Sequence, residues 1–171
     1  MKKTMNVSLL IICFLMSFLS FGSDRINLKF SGDIKASTCN ISNGANINID
    51  LKNIPAITFE KLNSFSVWSY FSIDLNNCSS AINQVKITFT GISAPEDVNS
   101  LYRNQGTAKN IAVQLENNTG KIQLGNKKSL NVSINGKDNV KILLRTRAFS
   151  KSGNGMPGTI SAKITANIIY L

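Results

Sequence analysis

Apolar residues recur at every second position in a series of short segments along the chain. Residues 26–34 place Ile26, Leu28, Phe30, Gly32 and Ile34 on one parity, and residues 47–51 read INIDL. Phe71, Ile73 and Leu75 share a face, as do Val85, Ile87 and Phe89, then Ile111, Val113 and Leu115. Leu130, Val132 and Ile134 follow, and then Val140, Ile142, Leu144 and Ala148. The final stretch, GTISAKITANIIYL, does the same with Ile160, Ala162, Ile164, Ala166, Ile168 and Tyr170. A period of two marks strands with one buried face. GNKK, NGKD and KSGNGMPG supply the Gly and Asn that turns with φ > 0 require. Residues 93–108, SAPEDVNSLYRNQGTA, read as a long polar connection, and no helical period of useful length appears. These signals predict one all-β domain, an antiparallel sandwich or barrel.

The closing segment raises a pairing problem. Fourteen residues at a strand's rise extend roughly 46 Å, more than twice a common strand. It has two edges, and no hairpin follows to cover the second. The segment 23–34 is also apolar-alternating and precedes Cys39. Two arrangements satisfy the pattern. The early arm folds back on its own domain as an ordinary first strand, or it pairs with the last strand of another molecule. The second arrangement supplies backbone hydrogen bonds to an open edge and fills a groove with alternate side chains.

The first residues change the compartment. Lys2 and Lys3 precede an apolar run from Val7 to Phe21, and Ser20 and Gly22 are small residues spaced for cleavage. This reads as an export leader, residues 1–22; the alternative, a membrane anchor, needs a longer apolar run and a stop-transfer flank. Cys13 leaves with the leader. Cys39 and Cys78 remain, and two cysteines in an exported chain predict a disulfide. Closing a loop of this length stabilises by roughly 4 kcal/mol in the chain-entropy model. A metal pair lacks further ligands, because the chain has no His. Loss of Lys2 and Lys3 takes the formal charge from +10 to +8. The basic residues are scattered, which fits a solvated surface and no nucleic-acid partner.

Chemistry is sparse. Without His there is no Ser-His-Asp or Cys-His nucleophile. GNGMPG has glycines but lacks the Lys-Ser/Thr of a phosphate loop. Glu96 and Asp97 are adjacent within a polar loop and read as turn residues. No catalytic, cofactor or metal site is expected. Trp68, in FSVWSYF, reads as a core or rim aromatic, with stacking on a sugar as the alternative.

Several stretches together resemble a chaperone–usher pilin, specifically a type 1-like fimbrial subunit. FSGDIKASTCNI leads into the first retained cysteine and FSIDLNNC into the second. GTAKNIAVQL places Gly106, Asn110, Val113 and Leu115, and RAF followed by PGTISAKITANIIYL resembles the family's end. In that family a glycine fourteen places from the C-terminus and a penultimate tyrosine flank the last strand. Gly158 and Tyr170 stand there.

The resemblance implies an incomplete immunoglobulin-like sandwich, residues 35–171, lacking its last strand. A periplasmic chaperone lends that strand first and binds the terminal carboxylate, here at Leu171. An outer-membrane usher then exchanges it for a neighbouring subunit's arm, residues 23–34. The donor residues would be Ile26, Leu28, Phe30, Gly32 and Ile34. The acceptor groove would be lined by Gly158, Ile160, Ala162, Ile164, Ala166, Ile168, Tyr170 and Leu171. The product would be an adhesive fimbria on the cell surface, built through the periplasm from subunits that no longer span a membrane. An arm of 16 residues before Cys39 is shorter than in many major subunits and points to a minor or adaptor position. The alternative is a stand-alone secreted, lectin-like β-sandwich.

Overall fold

The structure, a computed structural model, describes residues 26–32 and 38–171. The expected leader (residues 1–22), Cys13 and the arm residue Ile34 lie outside the described residues. Ten strands follow in chain order: β1 (Asn40–Ile41), β2 (Ser64–Phe65), β3 (Ser69–Asn76), β4 (Gln84–Gly91) and β5 (Ser93–Ala94), then β6 (Asp97–Arg103), β7 (Ala112–Asn117), β8 (Ser129–Ser133), β9 (Val140–Ser150) and β10 (Ile164–Tyr170). A 3-10 turn, Ala56–Phe59, sends Phe59 inward. No described helix is long and apolar enough to cross a membrane.

The strands form two antiparallel sheets. One has the order β1-β3-β9-β7-β6-β5, with β2 beside β9, and the other the order β10-β4-β8. The alternating positions meet between them. Ile73, Leu75, Val113, Leu115, Ile142 and Leu144 from the larger sheet share one cluster with Val85, Ile87, Phe89 and Leu130 from the smaller. Thr146 breaks the apolar row of β9, but its hydroxyl donates to the Gln114 carbonyl at 2.8 Å, so it is buried without an unpaired group. The result is the incomplete immunoglobulin-like sandwich that the resemblance implied, with the smaller sheet ending at β10.

Three expectations from the pattern need correction. Residues 93–108 are not a plain connection, because they contain β5 and β6. Period two fails in β6 for a physical reason: both faces are covered. Tyr102 enters the main core while its neighbour Leu101 packs with Ala94 and Ala112 on the opposite face. The polar start is spent on a turn, where Asp97 Oδ1 accepts from the backbone nitrogens of Asn99 and Ser100, each at 3.2 Å. Bonding from Ser100 foremost holds the Asp97 carboxyl below its ordinary pKa. Residues 47–51 form no strand. Ile47 and Leu51 still pack inward, but Asp50 accepts from the Lys52 nitrogen at 2.8 Å and Lys52 turns with φ 65°. Pairing is replaced by a turn. Finally, the closing segment is a strand only over β10, and residues 158–163 carry no strand. A smaller difference lies in GNKK, where the positive φ falls on Lys127 rather than on Gly125 or Asn126.

Cys39 and Cys78 are bonded, which ties the start of β1 to the end of β3. Replacing Cys39 by Ser should cost on the order of 2–5 kcal/mol and lower recovery of the exported chain. Equal melting and equal recovery of the Cys39→Ser variant would show the bridge to be dispensable.

Candidate functional site

β10 is an edge strand with one described neighbour, β4. The register runs from Ile164 opposite Gly91 to Tyr170 opposite Val85. It continues one step further, because Leu171 and Gln84 exchange both backbone hydrogen bonds, at 2.8 and 3.0 Å. In an antiparallel pair such doubly bonded residues alternate with unbonded ones. So Ile169, Asn167 and Thr165 also bond to β4. The N–H and C=O groups of Ile164, Ala166, Ile168 and Tyr170 point the other way, toward the uncovered edge.

The same four residues turn their side chains into the sandwich, where they pack against the main core. Their burial is unequal to that of their neighbours. Val85 and Ile87 on β4 are 0% exposed and Phe89 is 2% exposed, yet Tyr170, Ile168 and Ala166 opposite them are only half-buried. Ile160 and Ala162 extend the half-buried row below β10. An apolar core face is therefore open to solvent along one side. Its profile alternates large and small: Ile160, Ala162, Ile164, Ala166, Ile168, Tyr170. Each alanine leaves a depression between two bulkier side chains.

Both ends of this groove are fixed. At one end Asn104 uses its whole amide. Its nitrogen donates to the carbonyls of Ala108 and Thr159, at 2.9 and 3.2 Å. Its oxygen accepts from the backbone nitrogens of Gly106 and Ser161, at 2.9 and 2.8 Å. Gly158 passes so close that a Cβ there would collide with the Ala108 backbone nitrogen, so a side chain is excluded by contact. At the other end the Tyr170 hydroxyl donates to the Cys39 carbonyl at 3.2 Å, and the Leu171 carbonyl also accepts from Asn83 at 3.0 Å. Gly158 and Leu171 are exposed and flank the groove rather than line it.

Of the expected donor residues, Ile26, Leu28 and Phe30 are exposed, and space around Gly32 is open. Residues 26–32 carry no strand. Asn104 escaped the sequence reading, because its role depends on bringing residues 104–108 against 158–161. The only hint was a cluster of Asn, Gly and Thr. Trp68 sits on neither the groove nor the core: the Arg145 and Arg147 guanidiniums each stack on its ring, 4.1 Å from the centroid. Among the described residues no group of three His, Cys, Asp or Glu side chains is arranged to hold a metal.

Comparison with known proteins points one way. A family model described as "Fimbrial protein" matches residues 28–171. Protein FimG of Escherichia coli K12 is 27% identical over 146 residues, covering 85% of this chain and 84% of the relative. The uncharacterized fimbrial-like protein YadM of the same strain is 27% identical over 187 residues, covering 99% and 98%. Among solved structures, the P pilus rod subunit PapA superposes with a TM-score of 0.64 at 22% identity, over 78% of this chain and 99% of that one. A subunit from a chaperone–usher pilus, in a structure concerned with rod uncoiling, gives 0.66 at 18% identity, over 89% and 99%.

Replacing Asn104 by Ala should loosen residues 158–161. Hydrogen exchange at the Gln105, Ala108 and Ser161 amides should accelerate while exchange in β4 stays unchanged. Unaltered protection at those three amides would show that Asn104 does not hold the end of the groove.

Proposed function

The chain belongs to the fimbrial protein family, and from that premise we propose that it is a pilus subunit whose open groove is filled by a strand from another molecule. The observation that carries the reading is the half-exposed core face of β10 beside fully buried neighbours on β4. A domain with a complete sheet has no reason to leave its own core face and backbone edge uncovered.

The occupant is the arm, residues 23–34, of a neighbouring subunit. Ile26, Leu28, Phe30, Gly32 and Ile34 repeat at the period that an alternating groove accepts. Burying each large side chain contributes roughly 1.5–3 kcal/mol, and the outward N–H and C=O groups of β10 gain partners. Ala162 and Ala166 offer depressions for bulky donor residues, whereas Gly32 suits a place where a large acceptor side chain stands. Each molecule donates an arm and accepts one. The contact is head-to-tail and does not close, which generates a filament. A strand trapped between two sheets leaves only when the sandwich opens, so release is slow.

Before assembly the same groove needs a temporary occupant. A periplasmic chaperone fills it, with Leu171 at the contact, and an outer-membrane usher exchanges that strand for the incoming arm. The short stretch before Cys39 supports a minor or adaptor position in the fibre.

Equilibrium unfolding of residues 33–171, oxidised and purified without a chaperone, should give a stability below the about 5–15 kcal/mol of an ordinary domain. A peptide of residues 23–34 should then raise its melting temperature sharply. Full stability without peptide would mean that the sheet is complete, as in a self-sufficient secreted module.

In the intact chain, Leu28→Asp or Phe30→Asp should abolish incorporation into fibres and leave the domain's own folding unchanged, as read by assembly assays and circular dichroism. Normal incorporation of both variants would remove the arm from the mechanism.

A further inference from the structure

The outer face of the larger sheet, turned away from the groove, carries a second constellation. β9 presents Arg145, Arg147 and Phe149 there. The register sets Arg145 between Tyr70 and Glu116, Arg147 opposite Gln114, and Phe149 between Phe65 and Ala112. Trp68 lies over both guanidiniums.

The two arginines differ in their partners. Arg145 donates through Nε and Nη2 to Glu116 Oε2, at 3.2 and 2.8 Å. The other oxygen of Glu116 accepts the Gln114 amide at 3.0 Å. Glu116 is thereby used up. Arg147 donates Nε to Gln114 Oε1 at 2.7 Å, and among the described residues no carboxylate pairs with it. Its guanidinium lies between the Phe65 ring at 3.8 Å and the Trp68 ring at 4.1 Å, with Phe149 at 5.7 Å. Burial lowers its pKa.

A planar cation held between two rings has its orientation set in advance. Its in-plane donors form the fork that takes a carboxylate by two parallel bonds. Beside it Phe65 is more than half exposed, as is Tyr70 opposite the neighbouring Arg145, and the two offer apolar surface. We propose that Arg147, Phe65 and Trp68, with Tyr70 at the rim, form a binding site for a carboxylate-bearing sugar at the end of an oligosaccharide. The carboxylate meets the Arg147 fork, and the apolar face of the sugar ring lies against the exposed aromatic surface. This site is separate from the groove and does not rest on strand exchange.

Charge selects this occupant over a second copy of the chain. The sequence has 19 basic and 9 acidic residues, and Asp50, Asp74, Asp97 and Glu116 already face cations of their own molecule. Size selects it over another protein. The apolar rim is far smaller than the roughly 20–30 residues a side of a stable protein interface.

The test is a titration of the full exported chain, followed by ligand-observed NMR. The probes are a glucuronate-terminated disaccharide, its methyl ester, the neutral glucose analogue, sodium acetate and a tetraglutamate peptide. Only the glucuronate disaccharide should bind, and Arg147→Gln with unchanged melting should weaken it by at least about tenfold, the loss of one charge-assisted fork. Phe65→Ala, at a half-exposed ring, should weaken binding as well and serves if Arg147→Gln fails to fold. Equal binding of the ester, of acetate or of tetraglutamate would overturn the proposal. So would no binding of the disaccharide at about 10 mM, weaker than any ordinary specific site, or undiminished binding by the folded variants.

Discussion

The ladder between β10 and β4 holds this molecule's last segment in place, and its other edge has no described partner. The rest of the architecture can be understood from that asymmetry. An antiparallel strand sends alternate backbone groups to opposite sides. Here the side chains that enter the core belong to the residues whose backbone groups point away from β4. Burial and hydrogen bonding are thus left incomplete at the same residues. A segment that supplied only apolar contacts, or only backbone bonds, would correct half of the deficit. An extended strand with period-two side chains corrects both.

The two sheets serve different ends of this arrangement. The larger one is built from its own strands, and its inner face brings more buried residues to the core than the smaller sheet does. The smaller one has three strands and depends on fixed ends to stay in register. Asn104 and the close approach of Gly158 to Ala108 fix one end. Tyr170 and Leu171 fix the other. Between these anchors the groove keeps its shape through packing on one side only. Local opening is expected where apolar contacts are few, and this edge is such a place.

Much of the fold was legible from period two alone. The inward rows of β3, β4, β7, β8 and β9 are the rows that the sequence pattern assigns. The pattern was misleading where alternation and pairing part company. Residues 47–51 alternate, and Ile47 and Leu51 pack inward, yet a turn at Lys52 prevents a ladder. β6 pairs with β5 and β7 but does not alternate, because Leu101 and Tyr102 are both covered. The half-buried row from Ile160 to Tyr170 was readable as a candidate site, since it depends on spacing. Asn104 and the Trp68 stack were not. Each is assembled from residues far apart in sequence, and only the sheet register brings them together.

The hydroxyl of Tyr170 rests on the carbonyl of Cys39, and Cys39 is covalently joined to Cys78 at the end of β3. Tension applied to the chain ahead of Cys39 therefore enters at a junction of both sheets. The disulfide passes it to β3 and through β3 to the long ladder with β9, where seven residue pairs share it in parallel. The short strand β1, only two residues long, lies behind this covalent link and is spared the role of first element to peel. The subunit is thus built as a tensile coupling: beyond the Ser79–Thr38 backbone bond, load bypasses the two-residue β1 and reaches a seven-pair ladder.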